Sequence, residues 1–290
     1  MDSYSQIITP ATPILVVIAI DQSGSMQQPF ENCSMIVSKS EIASILASSI
    51  IEELISRSSH RDKSRHYFDL SVVGYARNSV YPLLCDSHQP VPAIIYEDNR
   101  PEIEKRTIEY ISKDNHLQLV TEAYYEWIKP QAAGPTAMLE MLDCVIDIVG
   151  DWCENRQNYD SFPPIVINIT DGLDEMEYTA LHSYKSDCIK QCGTKHGKTL
   201  FFNVCIDSCP QSERLYFPSA KDVPATHAAA MLAKMSSPLP PMFNPLHRLY
   251  NGKTLSQPPY LALCYNQAIL DIVPMLNIAP KLPEDGYIHD

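Results

Sequence analysis

Apolar residues occur in two kinds of run along the chain, and the two kinds alternate. Continuous runs rich in β-branched residues, at 13–20 (PILVVIAI) and 164–169 (PIVINI), are typical of strands buried on both faces. Residues 38–55 and 135–152 instead place apolar side chains at helical spacing. The first of these begins with Ser38 and has Glu41 near its start, as helix N-termini prefer. The pattern therefore predicts strands alternating with helices.

Further segments complete the predicted order. We predict strands at 69–75 and 199–206, a hairpin or edge strand at 79–84, and helices at 116–129, 178–192, 225–235 and 266–276, with 85–111 as an irregular, proline-containing insertion. Alternating units of buried strand and helix build a parallel sheet that is covered on both faces. The predicted fold class is therefore α/β, a doubly wound, mostly parallel central sheet with helices on both faces.

Proline marks a change in composition towards the end of the chain. More than half of the 23 prolines follow Ile206, which indicates much loop in the last third. No long flexible linker separates this part from the rest. We therefore expect a single domain over 1–290, with a core at about 13–210 and a proline-rich extension at about 211–290 packed on it.

The net charge of the chain limits the kinds of molecule that it is expected to bind. The chain carries 35 acidic and 22 basic residues, a formal charge of −13. Such a balance repels phosphate backbones and anionic membrane surfaces, and no lysine- or arginine-rich tract offsets it. The apolar run near the N-terminus is too short to span a bilayer and has no signal-peptide features. We therefore expect neither a nucleic acid nor a membrane as partner.

The nine cysteines indicate a reducing compartment. Their number is odd, and Cys144, Cys205 and Cys264 lie inside apolar patterns, where a free thiol behaves as a small hydrophobic group. The expected location is therefore the cytoplasm. The spacings Cys188-x3-Cys192 and Cys205-x3-Cys209 leave structural zinc as an alternative, although C-x2-C is the commoner spacing.

Short oxygen-bearing side chains cluster where predicted strands end. Doubly wound sheets bind ligands in the loops at the carboxyl ends of their strands. Three such places carry candidate ligands for a hard cation such as Mg²⁺, which prefers oxygen. They are Asp21, Ser23 and Ser25 after the first strand, Thr136 before the helix at 135–152, and Asp171 after the strand at 164–169.

This set resembles the metal-ion-dependent adhesion site of von Willebrand factor A (VWA, or integrin I-type) domains. The resemblance rests on Asp21-x-Ser23-x-Ser25, a distal Thr136 and a later Thr170-Asp171-Gly172, in the same order. It implies a Rossmann-like VWA fold over about 13–276, with Asp21 and Asp171 as carboxylate ligands, some acting through water. Ser23, Ser25 and Thr136 would be the hydroxyl ligands. Where many relatives have a second glycine before the threonine, this chain has Pro135, which favours a helix start there.

The resemblance also implies a function. VWA domains of this type bind a partner protein that supplies an Asp or Glu to the bound cation, here Mg²⁺ with Mn²⁺ or Ca²⁺ as alternatives. Segments 231–241 and 261–279 further resemble bacterial cytoplasmic VWA proteins of the tellurite-resistance-associated group. That likeness implies a signalling or stress-response assembly and a kinase or phosphatase encoded nearby as partner.

Other functions are weighed against this binding module. A metal-dependent phosphatase or hydrolase is the main alternative, since an Asp after the first strand also opens one class of phosphatases. That class needs a second Asp two residues later, where this chain has Ser23, and neither a nucleophile elbow nor a P-loop is present. We therefore expect no catalytic residues. A subunit with an empty, degenerate site is disfavoured because all five ligand positions are filled.

Two groups outside the motif are also candidates. Tyr124, Tyr125 and Trp127 are either a partner-binding anchor or, by their helical pattern, core residues. Asp174, Asp207 and Glu213 are expected in loops, near the proposed site or simply solvated. The sequence assigns no partner-binding residue.

Overall fold

The computed structural model describes residues 4–30, 37–60, 63–111, 117–173, 178–206, 215–244 and 257–265. Within them the strands are β1 (Ile14–Asp21), β2 (Ser59–His60), β3 (Lys63–Ser64), β4 (Phe68–Ala76), β5 (Ser79–Pro82), β6 (Val91–Pro92), β7 (Ile103–Ile111), β8 (Leu117–Tyr125), β9 (Ile165–Thr170), β10 (Gly193–Thr194), β11 (Gly197–Lys198), β12 (Leu200–Cys205), β13 (Leu215–Tyr216) and β14 (Leu263–Tyr265). The helices are α1 (Lys39–Ser58), α2 (Met138–Glu154), α3 (Thr179–Gln191) and α4 (His227–Met235), with 3₁₀ turns at Gly24–Gln27, Ala93–Asn99, Arg156–Asn158 and Pro241–Phe243.

The main sheet has a parallel centre and antiparallel edges. In the described part of the chain it contains eight strands in the order β13-β14-β12-β9-β1-β4-β5, with β6 also paired to β4. The pairs β1–β4, β1–β9, β9–β12 and β12–β14 are parallel. The pairs of β4 with β5 and β6, and of β13 with β14, are antiparallel. This is a mostly parallel, doubly wound α/β sheet, and the predicted fold class is confirmed.

Two apolar layers cover the two faces of the sheet. On one face, Ile42, Leu46 and Ile50 of α1 pack with alternate residues of β1. On the other face, the opposite residues of β1 pack with α2 and α4. Since successive side chains of a strand point to opposite faces, a strand covered on both sides must be apolar throughout. All eight residues of β1 are buried, as the continuous run at 13–20 predicts.

The elements around the predicted site are confirmed with small shifts. The predicted helix at 38–55 is α1, and Ser38 and Glu41 form a capping box at its start. The predicted strands at 69–75, 164–169 and 199–206 are β4, β9 and β12. The predicted helices at 178–192 and 225–235 are α3 and α4, and 79–84 is the edge strand β5. The predicted helix at 266–276 lies outside the described residues.

The predicted helix at 116–129 is wrong. Residues 117–125 of this segment form β8, which pairs antiparallel with β7 over nine positions, from Ile103 opposite Tyr125 to Ile111 opposite Leu117. The prediction of an irregular insertion at 85–111 is likewise wrong for Ile103–Ile111, which form β7. The apolar positions of 116–129 fit helical spacing, but β-branched and aromatic residues favour strands when a partner strand is available. The antiparallel pairing of β8 with the preceding strand β7 decides the outcome.

Two of the three aromatic residues at and just beyond the end of β8 pack on the α1 face of the sheet. Tyr124 and Trp127 pack against the core there, so the core interpretation of these two residues is confirmed although their helix is not. The Trp127 indole N–H donates to the Glu52 carboxylate over 3.2 Å. Arg100 lies 5.6 Å from the centre of the Tyr125 ring.

The described part of the proline-rich extension contributes to the main sheet. Its strands β13 and β14 extend the sheet beyond β12, and α4 packs on the same face as α2. The single domain over 1–290 stays a prediction.

Among the described residues no helix combines the length and apolar character needed to cross a bilayer. Seven of the nine cysteines lie among the described residues, and all seven are free thiols.

A chain of buried polar side chains crosses the sheet beside the strand ends. The Tyr75 hydroxyl donates to Asn168 Oδ1 over 2.9 Å, and Asn168 Nδ2 donates to Asn203 Oδ1 over 3.0 Å. Asn203 Nδ2 then donates to Ser236 Oγ of the segment after α4 over 3.0 Å. Asn168 and Asn203 are fully buried. Because buried polar groups cost free energy unless they are paired, this chain fixes β4, β9 and β12 relative to one another.

We expect Asn168→Ala to lower the free energy of unfolding by about 2–4 kcal/mol, because it deprives buried Asn203 Oδ1 of its donor and leaves a void. Equilibrium urea unfolding measures the change. Asn99→Ala, at an exposed position, is the matched control and should change stability by less than about 0.5 kcal/mol. A loss of under about 1 kcal/mol for Asn168→Ala would contradict a structural role for the chain.

Candidate functional site

Asp21 ends β1 and is held from two sides. Its Oδ1 accepts a hydrogen bond from the Ser23 backbone N–H over 2.9 Å. Its Oδ2 accepts from the Thr170 hydroxyl at the end of β9 over 2.7 Å. The second contact follows from the register, because Ile20 pairs with Ile169 and so places Asp21 level with Thr170. Asp21 is fully buried, so its carboxylate orientation is fixed by the two neighbouring strand ends.

Ser23 and Ser25 bring two hydroxyls together beyond Asp21. Their Oγ atoms are 3.1 Å apart, on the loop that continues into the 3₁₀ turn at Gly24–Gln27. Between them, the Gly24 N–H donates to the Gly134 carbonyl oxygen over 2.7 Å. A Cβ on Gly24 would lie 3.3 Å from that oxygen, so glycine suits this close approach of the two loops.

Thr136 lies on the second loop and has a hydroxyl without a visible protein partner. Its Oγ is buried and has no hydrogen bond to any group among the described residues. Buried hydroxyls in native proteins are nearly always paired, so this atom requires a partner from outside the described residues, and a bound cation would supply one. The loop is fixed by the bond from Gly24 and by a bond from the Arg77 N–H to the Pro135 carbonyl oxygen over 2.8 Å.

Pro135 does not begin the helix as the sequence predicts. α2 begins at Met138, and Ala137 precedes it without a side-chain cap. Gly134 adopts a φ of +75°, which turns the chain before Pro135. Thr136 therefore belongs to a loop that is set by backbone contacts, and it is two residues away from the start of α2.

Asp171 follows β9 and is also buried. Its Oδ1 accepts from the Leu173 N–H over 3.1 Å, and its Oδ2 accepts from the Lys39 ammonium over 3.0 Å. Gly172, between Asp171 and Leu173, has a φ of +70°, and a Cβ there would lie 2.8 Å from the Cβ of Ala228 in α4. The turn after β9 therefore requires glycine for both its conformation and its packing.

The five predicted site residues thus lie at one edge of the sheet. Asp21 and Asp171 follow the adjacent parallel strands β1 and β9, and the Asp171 carboxylate contributes to a raised pKa of Asp21. Ser23 and Ser25 adjoin Asp21, and the bond between Gly24 and Gly134 brings in the loop of Thr136. No group of three or more His, Cys, Asp or Glu side chains suited to a metal occurs within the described ranges, and only two of these five residues are acidic.

Burial controls the charge of Asp21. Desolvation raises the pKa of its carboxyl group from 3.8 to about 6, and the nearby Asp171 carboxylate adds to the rise. Hydrogen bonds from Ser23 and Thr170 oppose it. An added cation would favour the ionised form, so proton and cation compete for the same group.

Lys39 is a site residue that the sequence interpretation missed. It begins α1, its side chain is 2% exposed, and it bonds to Asp171 across a sequence separation of 132 residues. A signal was present, because position 39 precedes Ile42 by three residues and Leu46 by seven. It therefore lies on the apolar face of the helix, where a charged residue must be paired or functional.

A solvent-open groove of about 600 Å³ adjoins the second loop. Its walls include Pro135, Thr136, Leu139, Leu173 and Tyr178. Leu173 is 49% exposed and Tyr178 is 38% exposed. Thr136 is thus partly exposed in this groove, although its hydroxyl oxygen is buried. Asp174, Asp207 and Glu213, the other loop acids considered from sequence, lie outside the described residues.

Comparisons with known proteins return distant similarities. No protein-family model and no curated protein matches the chain. Proximal thread matrix protein 1 of the mussel byssus is 13% identical with a TM-score of 0.37, over 69% of this chain and 37% of that one. The manganese-loaded TRAP protein of Plasmodium vivax is 14% identical with a TM-score of 0.43, over 95% of this chain and 76% of that one.

The vWF domain of the type V pilus tip protein Mfa5 from Porphyromonas gingivalis is 13% identical with a TM-score of 0.33, over 58% of this chain and 39% of that one. This chain therefore spans little more than a third of the mussel and pilus chains. Similarities of this degree assign neither a family nor a function, so the functional argument rests on the site itself.

We expect Asp21→Asn to stabilise the protein in EDTA at pH 7, by at most about 3 kcal/mol, because it removes a carboxylate that burial disfavours. Between pH 3.8 and about 6 the native state binds more protons than the unfolded state. Wild-type stability therefore falls as pH rises through this window, and the gain of the variant disappears at its lower end. Urea unfolding across the window measures both trends.

Asp151→Asn, at an exposed position of α2, is the control and should change stability by less than about 0.5 kcal/mol. Saturating Mg²⁺ should make the wild type more stable than Asp21→Asn, because only the wild type retains the carboxylate ligand. A variant that is less stable than the wild type at pH 7 in EDTA would show that hydrogen bonding, and not desolvation, dominates at Asp21.

Proposed function

We propose that the chain is a divalent-cation-dependent protein-interaction module. Asp21, Ser23, Ser25, Thr136 and Asp171 would hold a Mg²⁺ ion, with Mn²⁺ or Ca²⁺ as alternatives. The proposal rests on the buried hydroxyl of Thr136, which has no partner among the described residues. It lies on the loop that is bonded to Gly24, between the two serines Ser23 and Ser25. Oxygen ligands from carboxylates and hydroxyls suit a hard cation. The likeness of the motif to the adhesion site of VWA domains supports the same reading.

The chemistry of the site favours binding of an external carboxylate. Two carboxylates do not fill the coordination shell of Mg²⁺, which usually keeps several waters in protein sites. When bound, the cation would supply an open position with residual positive charge to an Asp or Glu of the partner. The groove beside Thr136 gives a partner side chain access from solvent. The negative net charge of the chain repels such a partner only weakly beyond about 8 Å at physiological salt.

We place this module, on the resemblance of the tail, in a bacterial cytoplasmic signalling or stress-response assembly. A kinase or phosphatase encoded nearby is the proposed partner. The alternative is a metal-dependent phosphatase or hydrolase. Both acidic residues of the site are buried and hydrogen-bonded, and neither is presented to a substrate as a general base. We therefore propose a binding function and not an enzyme.

We expect Thr136→Val to weaken Mn²⁺ binding about tenfold, because it removes one oxygen ligand while keeping the side-chain shape. Its stability in EDTA should be unchanged or higher, since the hydroxyl that it removes is buried without a described partner. Thr136→Ser keeps the hydroxyl and is the matched control. Electron paramagnetic resonance of free Mn²⁺ during titration gives the dissociation constants. Equal Mn²⁺ affinity of wild type and Thr136→Val would remove Thr136 from the site.

We expect wild-type protein to retain a partner from native lysate with Mg²⁺ and to release it in EDTA, whereas Asp21→Ala retains none under either condition. Mass spectrometry of the eluate identifies the partner, and replacing its acidic side chains should abolish retention. Retention of the same proteins regardless of Mg²⁺ and of the substitution would reject the cation-dependent mechanism. Metal-dependent hydrolysis of p-nitrophenyl phosphate that Asp21→Ala abolishes would favour the phosphatase alternative.

A further inference from the structure

The ammonium group of Lys39 is buried inside the proposed cation site. Its Nζ donates to Asp171 Oδ2 over 3.0 Å and to Gln28 Oε1 over 3.3 Å, and its side chain is 2% exposed. The Asp171 side chain is fully buried. A buried ammonium is retained only when paired, so this contact is part of how the site is built.

Helix energetics do not explain a lysine at this position. Lys39 is the first residue of α1, where the aligned backbone dipoles of the helix already create positive potential. Acidic side chains are favoured there and cations are disfavoured. The helix start is secured separately by the capping box of Ser38 and Glu41. The position of the charge is therefore accounted for by Asp171 and not by α1.

The charges at the site reverse sign when a divalent cation is added. Without a cation, the ionised Asp21 and Asp171 carboxylates and the Lys39 ammonium leave one net negative charge. With a divalent cation the same groups carry one net positive charge. If position 39 were neutral, these groups would carry two net negative charges without the cation and no net charge with it. Lys39 thus opposes the entry of the cation and, once the cation is bound, leaves the site attractive to an anion.

We propose that Lys39 is a built-in counter-ion that lowers the affinity of the site for divalent cations and raises the affinity of the loaded site for a carboxylate. This inference rests on the proposed function. Asp171 keeps a charged partner when no cation is bound, so the buried carboxylate is compensated in both states. The lysine sets the balance between loading and partner capture, and it makes loading reversible.

The test compares wild type with Lys39→Gln, which keeps polarity but not charge, and with Lys39→Arg, which keeps charge. Mn²⁺ is removed from loaded protein by chelator competition, followed by electron paramagnetic resonance, with near-ultraviolet circular dichroism as a monitor of folding. Since the titration begins from loaded protein, a variant that is folded only with metal still gives a dissociation constant. Acetate is then titrated into the loaded proteins, and water-proton relaxation reports its coordination.

We expect Lys39→Gln to bind Mn²⁺ about tenfold more tightly than wild type and acetate several-fold more weakly, with Lys39→Arg close to wild type in both. Unchanged or weaker Mn²⁺ binding by Lys39→Gln, with wild type binding Mn²⁺, would overturn the inference and leave the proposed function standing. Tighter acetate binding by Lys39→Gln would also overturn it. If neither protein binds Mn²⁺, the inference and the proposed function both fail.

Discussion

The burial of two carboxylates at adjacent strand ends is the constraint on which the rest of the site depends. Asp21 and Asp171 follow β1 and β9, which are central in the sheet and covered on both faces. Water cannot solvate these groups freely, so the protein must compensate their charge. Thr170, the Ser23 and Leu173 backbone N–H groups and Lys39 supply that compensation. Burial of Asp21 accordingly disfavours its ionised form, which the hydrogen bonds from Ser23 and Thr170 stabilise in part.

Backbone contacts between loops convert the sheet edge into a fixed site. Gly24 bonds to Gly134, Ala133 bonds to Gln22, and Arg77 bonds to Pro135, so the loops after β1, after β4 and before α2 brace one another. Arg77 itself has a φ of +53° in the tight turn between β4 and β5, which is unusual for a non-glycine residue. The rigid polar chain through Asn168 lies just below this edge. Side chains held in this way would need little reordering to bind the proposed cation or partner.

Prediction from sequence failed where pairing with a neighbouring strand decides the structure of a segment. The predicted helix at 116–129 has helical spacing, yet its residues 117–125 pair with β7 as β8, because an available partner strand can override a local pattern. The dependence on a partner strand also explains why β14, in the described part of the extension, was not predicted. β14 pairs with β12 across the segment that contains β13 and α4, and few local signals mark so short a strand.

The sequence by itself determined the α/β class, the central strands and the five candidate ligands, because buried strands must be apolar throughout and short oxygen-bearing side chains follow them directly. Tertiary structure alone decided which groups meet. The register of β1 with β9 places Thr170 on Asp21, and the packing of α1 places Lys39 on Asp171, 132 residues away in sequence. Sequence spacing specifies faces and ends of elements, whereas charge compensation in a buried site depends on contacts that form only when the sheet and helices assemble.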